Sequence, residues 1–400
     1  VIEMKRSYLF FALALLAPAC SDFIEPPPPP PPPIPSTVTS VKVLPETLTV
    51  DIRESAQFTA TVIGTGALDR NVIWSVAGGC TVNTTGTIQA TETPATCALT
   101  ATSVQDPTKS GSATVSIVKF EKIAFWRRIY ESPTSWREYI FTMNADGSRE
   151  RQLTFPILGD FQPSWSPDGL RIAFGRAHAC DNGPLSIYVV GVDGNGLTNV
   201  SQCRFSGLDP AWSPDGQKLA FQYQDLESPK EMGIGTMNID GSGFTKLTAI
   251  ICGSGCSPDG APSWSPDGEY IYFASSRAGN WEIYRMKGDG TEQTRVTINN
   301  WADGSPQPSP DGSKIAFASS RDGKFQIYVM EADGSNETRI TSDPTCAQDP
   351  AWLLSGKLVY AGGCASTEMM DIWVVDADGK NPRNVTNSRA TPERYPAPRP

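Results

Sequence analysis

The stretch Ile327-Tyr328-Val329-Met330-Glu331-Ala332-Asp333-Gly334-Ser335-Asn336-Glu337-Thr338-Arg339-Ile340-Thr341 decides the fold, because the chain writes its frame six times. The Asp-Gly pairs are Asp146-Gly147, Asp193-Gly194, Asp240-Gly241, Asp289-Gly290, Asp333-Gly334 and Asp378-Gly379. Six places before each Asp stands an isoleucine: Ile140, Ile187, Ile234, Ile283, Ile327 and Ile372. Seven places after it stands an aliphatic residue followed by Thr or Ser, from Leu153-Thr154 through Val385-Thr386. Successive pairs lie from 44 residues (Asp289 to Asp333) to 49 residues (Asp240 to Asp289) apart. A period of that length built from short strands and tight turns predicts a β-propeller with one four-stranded blade per repeat.

Working outward, each unit opens with an inner strand A and a turn, read as Pro-x-Trp-Ser-Pro-Asp-Gly in Pro163–Gly169, Pro210–Gly216 and Pro262–Gly268. Strand B alternates polar and apolar residues, as in Arg171-Ile-Ala-Phe174 and Lys314-Ile-Ala-Phe317, with the branched and aromatic residues that suit a half-buried sheet. Strand C carries the isoleucine, and the Asp-Gly after it suits a hairpin because both residues tolerate positive φ. Strand D ends at the aliphatic-Thr/Ser pair. The first unit has no strand A before Lys122, whereas the chain ends Tyr395-Pro396-Ala397-Pro398-Arg399-Pro400, which matches a missing opening. The C-terminal segment is therefore expected to pair beside Ile123 and close the ring, leaving no free edges. The Trp-Ser-Pro-Asp-Gly and Asp-Ala-Asp-Gly repeats resemble the TolB-type propeller repeat over roughly residues 120–400. The resemblance implies six blades, a fold that hosts binding proteins as well as enzymes.

Residues 1–19 read as an export signal, with the start at Met4, then Lys5-Arg6 and the apolar run Tyr8–Leu16, too short to span a membrane as a helix. Ala17-Pro18-Ala19-Cys20 resembles a lipoprotein cleavage site, with Ala17 where that site usually has Leu; Cys20 would then be the lipidated first residue, against simple cleavage with a spare cysteine. Within residues 20–37, Pro26–Pro33 with Ile34-Pro35 predicts a stiff polyproline tether, roughly 30 Å long. Residues 38–118 alternate in period two, as in Val41-Lys-Val43, Phe58-Thr-Ala-Thr-Val62 and Ala113-Thr-Val115-Ser-Ile117, which predicts a β-sandwich. Val41–Val62 with Trp74 resembles the bacterial Ig-like domains of invasin-type surface proteins, with Arg53 where that family usually has a turn glycine. The expected whole is all-β: an Ig-like β-sandwich, then a six-bladed β-propeller over 119–400.

Besides Cys20 there are eight cysteines in close pairs, Cys80/Cys97, Cys180/Cys203, Cys252/Cys256 and Cys346/Cys364, which suits disulfides in an oxidising compartment. A zinc site is disfavoured because Cys252-x-x-x-Cys256 lacks a second ligand pair. The net charge of −10 speaks against nucleic acid, whose binding rests on Lys and Arg.

The chain carries one histidine, His178, so two- or three-His metal centres, including the manganese site of propeller-shaped oligogalacturonate lyases, cannot be assembled. A Ser-His-Asp triad would need His178 as its base, and there is no Gly-x-Ser-x-Gly elbow. Asp376-x-Asp378-Gly379, Asn144-x-Asp146-Gly147 and Asn238-x-Asp240-Gly241 miss the register of a calcium-binding EF-hand, since Gly falls at position four rather than six, which favours turn chemistry over a calcium site of some other geometry. No metal or cofactor is expected. Asp168, Asp215, Asp267 and Asp311 are expected to hold their own turns.

In a propeller the short AB and CD turns share one face, and the variable BC and DA loops share the other, where function usually sits. Candidates there are Arg127, Arg128, Trp136, Arg277, Trp281, Trp301 and Arg321, with Asp209 and Asp349 at the channel mouth. Arg and aromatic residues favour recognition of a partner, and removing Trp301 or Arg321 is expected to weaken binding without altering the fold. The competing reading has Trp136 and Trp281 packed against neighbouring loops. Chain entry from the turn face places the tether on that side. The favoured function is a non-catalytic outer-membrane-anchored lipoprotein, periplasmic or surface-exposed, that binds an envelope protein or polysaccharide and meets the membrane only through its lipid. The alternative is a propeller-fold hydrolase or lyase acting on polysaccharide or peptide with carboxylates alone.

Overall fold

The computed structural model describes residues 35–132, 134–155, 159–177, 185–228, 231–251, 258–343, 345–363, 370–388 and 391–400. Cys20, the proline run before Pro35, His178, Cys180, Cys252, Cys256 and Cys364 lie outside the described residues. The chain divides into two compact units at Lys119/Phe120.

The first unit is built of strands sharing one apolar core of Val41, Val43, Phe58, Val62, Ile88, Leu99, Val115 and Ile117. Its main sheet runs Thr47–Asp51, Ser110–Val118, Ala95–Ser103 and Val72–Gly78, with the first pair parallel. Thr37–Leu44 pairs with Thr59–Thr65, and a third sheet joins Ser55–Gln57, Thr87–Ala90 and Cys80–Val82. These last three short strands had no clear alternation to announce them. A disulfide joins Cys80 to Cys97 with 6.1 Å between their Cα atoms. Arg53, at the expected turn-glycine position, takes φ of 63°. The turn thus needs the left-handed region whichever residue fills it.

Among the described residues the second unit forms six antiparallel sheets, each with strands A to D in spatial order and one with an additional two-residue strand, Ile250–Ile251. Sheets 2 to 6 have strand A at Asp160–Trp165, Phe205–Trp212, Gly260–Trp264, Asp303–Pro308 and Ala347–Trp352. Sheet 1 takes its strand A from the C terminus: Glu393–Pro398 pairs with Lys122–Ser132, setting Ile123 opposite Pro398 and Arg127 opposite Glu393. Each strand A touches the next, and the strand A of sheet 1 touches those of both sheet 2 and sheet 6, so the sheets form a closed ring. The turns interlock likewise. A Cβ on Gly147 would lie 2.3 Å from the Val385 carbonyl oxygen of sheet 6, as one on Gly241 would lie 2.1 Å from that of Val200. Only glycine, here at φ of 83° and 82°, allows that approach.

The repeated sentence has a physical meaning at each end. The Asp side chain accepts the backbone N–H two residues on, as Asp333 does from Ser335 at 2.9 Å. The terminal Thr or Ser hydroxyl accepts the N–H of the repeat's isoleucine in all six sheets, from Thr154 to Ile140 through Thr386 to Ile372. It caps the point where strand D leaves strand C, so a buried donor is not orphaned. The Ser-Pro-Asp-Gly acids do hold their turns: Asp168, Asp215, Asp267 and Asp311 each accept a Ser hydroxyl and a backbone N–H. These bonds hold the Asp215, Asp267 and Asp311 carboxyls below their usual range, Asp311 at about 2.

Candidate functional site

Every strand A contains a residue directly before a proline, and in all six sheets that residue is left-handed: Gln162, Asp209, Ala261, Ser305, Asp349 and Tyr395, with φ of 49 to 53°. Proline cannot donate to the ladder, so each pairing of strands A and B shifts register there. All six residues line the centre of the ring. Because Ala261 shares the geometry, the strained backbone belongs to the fold, and chemistry enters through the side chains it presents.

The channel has two compartments. Toward the AB turns, a cavity of about 230 Å³ is walled by residues such as Trp165, Trp212, Trp264 and Pro308. Toward the BC and DA loops, a cavity of about 420 Å³ is lined by Asp209, Asp303, Asp349, Gln222, Gln348 and Trp281, among others. Asp209, Ala261, Ser305, Asp349 and Tyr395 belong to both and form the waist.

Asp209 and Asp349 sit on sheets 3 and 6, opposite each other in the ring. Burial first, and then the facing charge of Asp349, push the Asp209 carboxyl up to about 7. Burial also raises Asp349, against the pull of Arg394. Tyr395 at the same level is held protonated by burial and by both carboxylates. Asp349 is 8% exposed, and its Oδ2 accepts no hydrogen bond. Arg394 Nε, at 3.9 Å, is too distant to supply one.

The arginines have a different occupation, and this corrects the expectation for Arg127, Arg277 and Arg321. Each closes a clamp on a buried acid at or beside the start of strand A: Arg127 on Glu393, Arg277 on Asp259 and Arg321 on Asp303, with Arg176 on Asp160 as a fourth. Each guanidinium also lies over the aromatic of strand B and that of strand C, as Arg321 does over Phe317 and Tyr328 at 5.6 and 4.4 Å. All four acids are fully buried. These arginines are committed to the scaffold, because opening a buried pair leaves an uncompensated charge. Arg128 is bonded to Glu138 at 2.9 Å and lies over Trp136, which pairs with Tyr130 on the hairpin of sheet 1.

Of the expected residues, the structure therefore brings Asp209, Asp349 and Trp281 onto one cavity. Trp136 and Trp301 stand apart on the same loop face, about half exposed, with Trp301 on the loop held by Asn280. Gln162, Ala261, Ser305 and Tyr395 were missed, although their signal was in the chain: each occupies the place of Asp209 before the strand-A proline. Among the described residues, no group of three or more His, Cys, Asp or Glu is placed to hold a metal ion. Cys203 and Cys346 are disulfide-bonded, and their expected partners lie outside the described residues.

In comparisons with known proteins, the chain is similar in structure to TolB from Acinetobacter baumannii, with a TM-score of 0.61 and 17% identity over 82% of this chain and 83% of that one. It is similar also to a putative TolB from Agrobacterium tumefaciens, with a TM-score of 0.54 and 22% identity over 70% of this chain and 99% of that one. The ring is a TolB-like propeller. Hydrazine synthase from Kuenenia stuttgartiensis contains a similar fold, with a TM-score of 0.57 and 15% identity over 70% of this chain and 47% of that one. At these identities the likeness concerns the fold alone. No family model matches the chain. An uncharacterised protein from Agrobacterium fabrum is 50% identical over 36 residues, and the chain spans only 12% of that relative's length.

Proposed function

We propose that the protein is a non-catalytic cell-envelope lipoprotein whose six sheets are the blades of one propeller that binds a partner through its BC/DA face. The first unit acts as an Ig-like spacer, and Cys20 carries the lipid. The observation that carries the binding reading is the composition of the loop face. Besides the acidic cavity, the loop segments carry exposed apolar side chains: Phe155, Ile251 and Ile298 are each more than three-quarters exposed, and Trp136 and Trp301 about half. Exposed apolar and aromatic side chains on a polar surface suit recognition of a protein partner, and aromatic anchors concentrate such binding energy.

The test is capture from envelope extract by the intact protein beside its Trp301→Ala, Phe155→Ala and Glu292→Ala variants. The reading expects one partner retained by the parent and by Glu292→Ala, and lost or weakened in the Trp301→Ala and Phe155→Ala variants. Equal capture by all four would refute it. Turnover of envelope glycans by the purified protein, lost in Asp209→Asn, would replace it with a carboxylate-based enzyme.

A further inference from the structure

The 420 Å³ cavity on the loop side contains charge that the fold does not neutralise. Asp303 and Asp349 line it, both are more than nine-tenths buried, and each leaves one oxygen, Asp303 Oδ1 and Asp349 Oδ2, without a hydrogen bond. Buried acceptors are normally satisfied, and these two belong to residues that line the cavity. Asp303 is matched by Arg321 at 3.4 Å and Asp349 by Arg394 at 3.9 Å. Asp209, the third carboxylate, makes no ion pair among the described residues. Arg321 is shared with Glu337, so the two guanidiniums do not fully balance the ionised carboxylates of this cavity, which Trp281 also lines.

We propose that this cavity binds an organic monocation, an ammonium or guanidinium group seated between Asp209 and Asp349, with its carbon skeleton against Trp281. A cation with N–H donors supplies what these carboxylates lack. The carboxylates do not converge as metal ligands, whereas a calcium ion would require six to eight oxygens closing around it. An aromatic wall suits an organic cation through its ring face. The cation is either a free amine or the Lys or Arg tip of a bound partner, and only the second source rests on the binding reading given above.

The experiment is calorimetric titration of the intact protein with butylammonium, butylguanidinium, neutral butanol and calcium chloride. It is repeated with the peptide acetyl-Gly-Gly-Lys-Gly-Gly-amide and its Gln counterpart. The proposal expects saturable binding of the cations with Kd on the order of 1 mM or tighter and none of butanol. Asp209→Asn and Asp349→Asn should weaken it roughly ten- to hundred-fold, as loss of a charged hydrogen bond does, while each variant keeps the parent's cooperative melt and Glu292→Gln binds as the parent does. A Lys peptide tighter than butylammonium assigns the site to a partner side chain; an equal or weaker one assigns it to a free amine. Absent or unsaturable cation binding would overturn the proposal, as would unchanged affinity in both Asn variants or displacement of the amine by equimolar calcium. Capture of an envelope partner without any cation binding would retain the binding reading and discard this one.

Discussion

Sheets 1, 2, 4 and 5 handle their central charge in one way and sheets 3 and 6 in another. In the first group a buried acid stands two residues before the left-handed residue of strand A and is clamped by an arginine over two aromatics. In the second group that place holds Gly207 or Ala347, and the acid stands at the left-handed residue itself, as Asp209 or Asp349. Moving the carboxylate by two positions places it at the channel waist, in blades where Tyr223 and Gly362 stand at the place of the clamp residues Arg127 and Arg176. The same residue type is therefore clamped to the scaffold in four blades and left without a strand-B arginine in two, where the proposed ligand would meet it.

Deleting Glu393–Pro400 should produce the largest effect, because it removes both the strand A of sheet 1 and one clamp acid. Denaturant unfolding followed by two probes should lose coincidence and cooperativity, and an unchanged transition would show that the ring does not depend on its closure. Next, Arg176→Ala should cost about 3–5 kcal/mol in chemical denaturation, since Asp160 is left buried and unpaired. A loss below about 1 kcal/mol would put the clamp on a level with surface pairs and erase the contrast between the two groups.

A smaller effect separates them by pH. Asp209 titrates near 7 in the fold and near 3.8 when free, so the folded chain holds its proton across that interval. Stability from this group is therefore greatest below about pH 4 and is lost as pH rises toward 7. Burial raises Glu393 to about 7 with the same sign. The melting temperature should fall by a few degrees between pH 5 and pH 8, and Asp209→Asn should flatten the fall. A melting temperature that rises over the same window would contradict the sign. The smallest effect belongs to the turn face: Lys380→Ala and Glu292→Ala should change stability by no more than about 0.5 kcal/mol.

The ring was legible because its signal is repeated. Asp-Gly, the isoleucine and the Thr or Ser are each fixed by a backbone bond recurring in every sheet, and the C-terminal Tyr395-Pro396 filled a gap in that frame. The site was legible in part. Asp209 and Asp349 stood out as acids before proline, whereas Gln162, Ser305 and Tyr395 share the position without sharing the chemistry. The arginines misled because loop position suggested exposure, while their partners, such as Asp259 eighteen residues before Arg277, are found only by folding. The strands at Cys80–Val82 and Thr87–Ala90 are too short to show a period.

The most direct test of the division between clamped and unclamped charge is the unfolding midpoint of Asp209→Asn measured beside Arg176→Ala at pH 7.5. If Asp209 belongs to a site rather than to the scaffold, its variant keeps the parent's midpoint or exceeds it, while Arg176→Ala falls well below. A midpoint for Asp209→Asn as low as that of Arg176→Ala would contradict the account.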